Sequence, residues 1–140
     1  MVGLDVTHRV VVTVEQFRRI ADHHKHAATD ALLQAVDFYA HFYSGLYQHI
    51  ARTPGCYAHD LLAFIYLVQP GLFTIETKSV RVATEGLAQG QTIVNRRDFI
   101  DYPHPGWEKD KPRTQVCMKV DAPACVSLFE DTMLRKWLSR

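Results

Sequence analysis

A histidine and an aspartate stand side by side, His59-Asp60, directly ahead of the apolar run Leu61-Leu62-Ala63-Phe64-Ile65-Tyr66-Leu67-Val68. An imidazole titrates near neutrality and can hand a proton to a leaving group, while a carboxylate offers hard oxygen ligands to calcium or magnesium. A loop that turns into a buried helix holds such groups rigidly yet within reach of solvent. Pattern alone favours a plainer reading, with Asp60 as a helix N-cap and His59 as a loop residue packed against Tyr57. On either reading, two side chains are too few to cage a metal and position a substrate.

The elements that must position this pair follow from periodicity. Met1 to Thr7 is largely apolar without clear alternation, which suits a strand buried on both faces of a parallel sheet. A second β-rich stretch, Val10-Val11-Val12, leads to Thr13 and Gln16, spaced as a capping box, and Phe17 and Ile20 give the helix behind it an apolar face. That helix is expected to end near Asp22-His23-His24-Lys25-His26. From about Ala27 to Ile50, Leu32, Leu33, Val36, Tyr39, Phe42, Tyr43, Leu46, Tyr47 and Ile50 recur at three- and four-residue steps, the mark of a long amphipathic helix with an aromatic stripe. Arg52-Thr53-Pro54-Gly55 breaks it, and Cys56-Tyr57-Ala58 reads as the loop delivering His59 and Asp60.

After Gln69-Pro70-Gly71 the period changes to two. Thr74 to Glu85 and Gln91 to Asn95 alternate, with Gly86 and Gly90 framing the turn of a hairpin. A loop rich in proline, glycine and charge runs from about Arg97 to Pro112, and Thr114 to Val120 is a further strand. Asp121 ahead of Ala122-Pro123 is an N-cap, and Val126, Phe129, Met133, Leu134 and Trp137 carry a terminal helix with Arg135, Lys136 and Arg140 in its last turn. The order of elements is α/β with a β-hairpin excursion.

With 140 residues, 47% of them hydrophobic and 22% charged, the chain fits one ordinary globular domain. Its net charge of +1 gives no electrostatic reason to expect nucleic acid or an acidic membrane surface as partner. Cys56, Cys117 and Cys125 are odd in number and lack metal-like spacing, so no disulfide framework is expected and a reducing, cytoplasmic setting fits. No apolar run approaches the length of a membrane helix.

Gly3-Leu-Asp-Val-Thr-His8, Tyr57-Ala-His-Asp-Leu-Leu-Ala63, Pro70-Gly-Leu-Phe-Thr74 and the segment from Val82 through Gly90 to Arg97 occur in that order. Together they resemble the C-terminal part of the inosine-uridine preferring nucleoside hydrolase family, from Met1 to about Leu134. The resemblance implies a mostly parallel sheet flanked by helices and hydrolysis of the N-glycosidic bond of purine and pyrimidine ribonucleosides to base and ribose. By the same resemblance His59 matches the histidine that helps protonate the departing base, and Asp60 the C-terminal carboxylate ligand of the calcium ion. Tyr43 and Tyr47 match, by position, aromatics placed near the base; core packing of the stripe accounts for them equally.

The family's N-terminal cluster of aspartates, which supplies most calcium ligands and activates water, has no counterpart in this sequence. Nor has the segment whose asparagine and glutamate hold the ribose hydroxyls. Residues 1–140 therefore read as a partial nucleoside hydrolase domain, the C-terminal portion of a longer enzyme, inactive alone and not binding calcium by itself. An alternative is a non-catalytic structural fragment that associates with a complementary chain; homo-oligomerisation or pairing with a missing N-terminal half would cover its exposed core. His23, His24 and His26 read as a solvated connector, Arg96-Arg97 and Lys109 to Arg113 as exposed loop, and Asp5 as a residue without catalytic role.

Overall fold

A computed structural model describes residues 1–47, 53–97, 107 and 112–135. Gly3 is extended and caps the short helix α1, Leu4–Thr7, whose first amide bonds run from Val6 and Thr7 to the Gly3 carbonyl. The expected buried strand at Met1 to Thr7 is thus a helical turn. Val6 and Thr7 are adjacent and both buried while Leu4 and Asp5 are exposed, a grouping that a strand's alternation cannot produce. Strand β1, Val11–Thr13, follows, and Thr13 closes the expected capping box with Gln16 at the start of α2, Val14–His24. Phe17 and Ile20 are buried from its inner face.

Lys25 ends α2 in the left-handed region, with φ at 48°. Helix α3, Ala27–Leu46, is capped by the His26 ring, which accepts the Ala28 amide at 3.1 Å. His24 bonds through Nε2 to the Met133 carbonyl. Two of the three connector histidines are therefore structural rather than merely solvated. Helix α3 buries Thr29, Val36 and Ala40; of the expected stripe only Val36 is deeply buried among the described residues, whereas Tyr39, Phe42 and Leu46, with Phe38 beside them, stay largely exposed. Ile50 and Arg52 lie outside the described residues.

The segment expected as a loop before His59 is instead strand β2, Gly55–Tyr57. It pairs antiparallel with β1, Val11 opposite Tyr57 and Thr13 opposite Gly55. Three residues are too few to show a period in sequence. Helix α4, His59–Val68, buries Leu62 and Ile65 and is followed by a 3-10 turn at Pro70–Leu72. The remaining strands among the described residues are β3, Phe73–Lys78, β4, Val80–Val82, β5, Thr92–Val94, and β6, Thr114–Val120. The expected strand from Thr74 to Glu85 is therefore two: β3 pairs with β6 and β4 with β5, both antiparallel. Gly86 and Gly90 frame the hairpin turn with φ of 72° and 85°, values that glycine adopts at little cost. Most of the loop between Arg97 and Pro112, with Lys109, lies outside the described residues.

The expectation of a mostly parallel sheet is not met among the described residues. The named strands make three two-stranded antiparallel pairs, and the one parallel bridge is Val2 to Cys117. Helix α5, Ala122–Met133, is capped as expected, Asp121 accepting the Ala124 amide at 3.1 Å with Pro123 in the first turn. It ends before Arg135, so no basic residue occupies its last turn; Lys136, Trp137 and Arg140 lie outside the described residues.

One core joins these elements. Val6, Val10, Val12, Phe17, Val36, Leu62, Ile65, Phe73, Cys117 and Cys125 belong to a single buried cluster. Phe17 on α2 meets Phe129 on α5 with ring centroids 5.5 Å apart, and Glu130 takes an ion pair from Arg19 and a hydrogen bond from Gln16 beside it. The three cysteines are free thiols. Among the described residues no helix is long and apolar enough to cross a membrane.

Candidate functional site

The β1–β2 pair determines what surrounds His59. In an antiparallel pair the start of one strand lies beside the end of the other. The residues just ahead of β1, Thr7 and His8, are thereby set against those that end β2 and follow it, Tyr57 and His59. The amide of Ala58 donates to the Val10 carbonyl at 3.2 Å and continues the pairing to the edge of the site.

Rings collect there from three elements. His8 lies 4.5 Å from Tyr57 and 5.3 Å from His59, centroid to centroid, and Tyr57 lies 5.7 Å from His59. Helix α3 brings up its C-terminal end. Tyr43 and Tyr47 meet Tyr57 edge to face at 5.2 and 5.3 Å, and Tyr47 lies 6.0 Å from His8. The structure thus gathers Tyr43 and Tyr47 toward His59 through Tyr57. Tyr57 is itself buried and forms the floor of the group.

His59 is the first residue of α4 and is partly buried, its Nδ1 2.7 Å from the buried hydroxyl of Thr7. Burial is the main cause lowering its pKa, and the neighbouring His8 ring adds to it; Asp60 works in the opposite direction. The physical basis is that an imidazolium loses hydration here and faces a second potential cation. Burial raises the Tyr43 and Tyr57 phenols and the half-buried Cys56 thiol, keeping each neutral over a wider pH range. Burial thus favours the neutral forms of His59, Tyr43, Tyr57 and Cys56 alike.

Asp60 stands apart from this group. It is not the cap of α4: Ala58 occupies that position without a side-chain bond, and Asp60 lies exposed in the first turn. There the amide dipoles favour its charge. Calcium takes six to eight oxygen ligands. Among the described residues no three or more His, Cys, Asp or Glu side chains are placed to hold a metal ion. Asp5 sits exposed in the first turn of α1.

Residue type and spacing assign no role to Thr7 or His8, and to Tyr57 only that of a packing neighbour. Thr7 and His8 end the segment Gly3 to His8, whose resemblance to the family is their one signal in the sequence. Their role depends on the pairing of β1 with β2, which neither three-residue strand reveals alone. A separate open groove of about 490 Å³ lies between α2 and α3, lined by Glu15, Arg18, Asp37 and His41 among others. None of the site residues faces it.

The elements and this ring-lined histidine define an α/β domain of the hydrolase type seen in solved nucleoside hydrolases. The match to a purine-preferring ribonucleoside hydrolase from Gardnerella vaginalis has a TM-score of 0.76 at 29% identity, covering 96% of this chain and 39% of that one. A plant nucleoside hydrolase matches with a TM-score of 0.74 at 25% identity, over 94% and 40% of the two chains.

The profile of the inosine-uridine preferring nucleoside hydrolase family matches residues 1–127, and the chain belongs to that family. Similar relatives include a probable uridine nucleosidase 2 of Arabidopsis thaliana, 31% identical over 95% of this chain and 39% of its own length. The inosine-uridine preferring nucleoside hydrolase of Leishmania major is 32% identical over 96% and 39%. The chain thus spans about two fifths of the length of the curated relatives it matches.

Proposed function

We propose that these 140 residues supply the leaving-group side of a site that hydrolyses the N-glycosidic bond of purine or pyrimidine ribonucleosides. The observation that carries this reading is His59, anchored on Thr7 and bordered by the rings of His8 and Tyr57, in a chain of this family. Cleavage builds positive charge on the sugar and negative charge on the base, so an acid beside the base lowers the barrier. His59 is that acid in its imidazolium form. A lowered pKa makes it the stronger donor, at the cost of a smaller protonated fraction near neutrality. Tyr43, Tyr47 and Tyr57 offer edges and faces against which a flat heterocycle can rest.

Asp60 is one oxygen ligand of a calcium ion whose other ligands come from polypeptide beyond these residues. By this reading the isolated chain neither hydrolyses nucleosides nor holds calcium. The exposed apolar faces favour a second role alongside it, association with a complementary chain or another copy. Helix α4 carries no charged side chain from Leu61 to Val68, and its one polar group there, the Tyr66 hydroxyl, bonds to Gln115, yet Phe64, Leu67 and Val68 are exposed; Phe38, Phe42 and Leu46 of α3 are too. Large apolar side chains exposed together on a helix are ordinarily covered by a partner surface.

Titration of the purified chain with inosine or uridine, followed by NMR, tests the reading. Resonances of His8, Tyr43, Tyr57 and His59 are expected to shift without release of free base. If those rings do not respond at millimolar nucleoside, the substrate assignment fails. Base release by the chain alone would overturn the claim of inactivity.

A further inference from the structure

Thr7 is 3% exposed at the last position of α1, and its hydroxyl has two polar neighbours. His59 Nδ1 lies 2.7 Å from Oγ1, and the Leu4 carbonyl 3.4 Å from it on the other side. A carbonyl oxygen only accepts, so the contact with Leu4 is a hydrogen bond only when the single hydroxyl proton points there. The lone pairs of Oγ1 then face Nδ1, and Nδ1 must carry a proton to donate to them. Turning the hydroxyl proton toward Nδ1 keeps one contact and gives up the other. The Leu4 carbonyl also accepts the His8 amide at 2.9 Å, so it is satisfied either way; what decides is the pair of bonds open to a buried hydroxyl.

We propose that Thr7 is a positioning residue that holds neutral His59 as its Nδ1–H tautomer, leaving Nε2 as the nitrogen that gives up and regains the proton. This rests on the reading of His59 as the acid for the departing base. An imidazolium carries a proton on each ring nitrogen. As the glycosidic bond breaks, its electron pair goes to the base nitrogen, which takes the Nε2 proton; His59 is left neutral with Nδ1–H still bonded to Thr7. The neutral form produced is the one Thr7 favours, so no further proton movement is needed. Imidazole side chains in water ordinarily prefer the opposite tautomer, and a partner on one nitrogen is the usual means of selecting the other.

The tautomer is read directly by NMR of the chain labelled with nitrogen-15 at histidine, above the pH where imidazoles titrate and without substrate. The His59 signals are assigned by their loss in His59→Gln. In the unsubstituted protein and in Thr7→Ser the Nδ1–H form is expected to dominate. In Thr7→Val, similar in shape but lacking the hydroxyl, His59 is expected to move to the Nε2–H form or a mixture. Dominant Nε2–H in the unsubstituted protein, or an unchanged Nδ1–H signal in Thr7→Val, overturns the proposal. If Thr7→Val does not fold, the unsubstituted protein and Thr7→Ser still decide it. Failure of nucleoside binding would count against the proposed function and leave this measurement unaffected.

Discussion

The ring of His8 meets the ring of His59 edge to face at 5.3 Å, although one closes α1 and the other opens α4. Nothing covalent brings them near. The β1–β2 pair does, and its tightest point is at the far end from the site. Gly55 faces Thr13 across the pair, and a Cβ placed on Gly55 would lie 2.6 Å from the Val12 carbonyl oxygen and 3.1 Å from the Thr13 Cα.

Those neighbours are backbone and cannot rotate away. Gly55→Ala is therefore expected to push the two strands apart and cost about 1–3 kcal/mol, in the range of overpacking in a closed interior. Thermal unfolding measures the cost, and loss of the NMR contacts between His8 and His59 tests whether the site loosens with it. An unchanged melting temperature would mean that the strands are not held as closely as the geometry states.

Elements whose period repeats several times were legible in the sequence: α2 with its Thr13–Gln16 box, α3, α4, β6 and the capped α5. So were the two turn glycines, because positive φ leaves a residue-type signature. What sequence did not reveal depends on distant partners. Val2 touches Cys117, β3 pairs with β6 rather than with its neighbour in the chain, and Gly55–Tyr57 is a strand only because Val11–Thr13 lies against it. The site divides the same way. His59 and Asp60 were marked by residue type and setting, whereas Thr7 and His8 owe their place to a pairing of two strands too short to announce themselves.

Tyr57 is the residue on which the ring group rests. It is 7% exposed and touches the rings of His8, Tyr43, Tyr47 and His59. Tyr57→Ala removes a large buried side chain and is expected to cost about 3–5 kcal/mol, as for other aromatic truncations. Tyr57→Phe keeps the ring and its contacts and is expected to cost no more than about 1.5 kcal/mol, the upper worth of one neutral hydrogen bond. Chemical denaturation of the two variants separates packing from polarity; equal losses would place the main contribution on the hydroxyl.

Asp60 and Thr13 sit in the first turn of α4 and at the cap of α2, but only Thr13 is bonded to its helix. Its side chain accepts the Gln16 amide at 3.2 Å while its own amide donates to Gln16 Oε1 at 2.9 Å. Thr13→Ala is expected to cost about 1 kcal/mol. Asp60→Asn, at an exposed position whose side chain does not cap the helix, is expected to change stability by no more than about 0.5 kcal/mol. Calorimetric scans of both variants make the comparison. A large loss in Asp60→Asn would show that the carboxylate holds the fold rather than standing ready for a ligand.

The neutral phenols and thiol beside His59 give the fold an alkaline limit. Burial raises Tyr43 and Tyr57 above 10.0 and Cys56 above 9.0. An unfolded chain would release these protons at the ordinary values, while the folded chain holds them to higher pH. Between the two, the folded state binds more protons, so stability falls as pH rises. The contribution is complete below about pH 9, where all three groups are neutral in either state, and it is lost as pH climbs through the raised folded values. Melting temperatures from pH 8 to 11 should therefore decline at the upper end, and the decline should be shallower in Tyr43→Phe and in Tyr57→Phe, each of which removes one such proton. A melting temperature that rose over this range in the unsubstituted protein, or an equally steep fall in both variants, would show that the two phenols do not limit the fold.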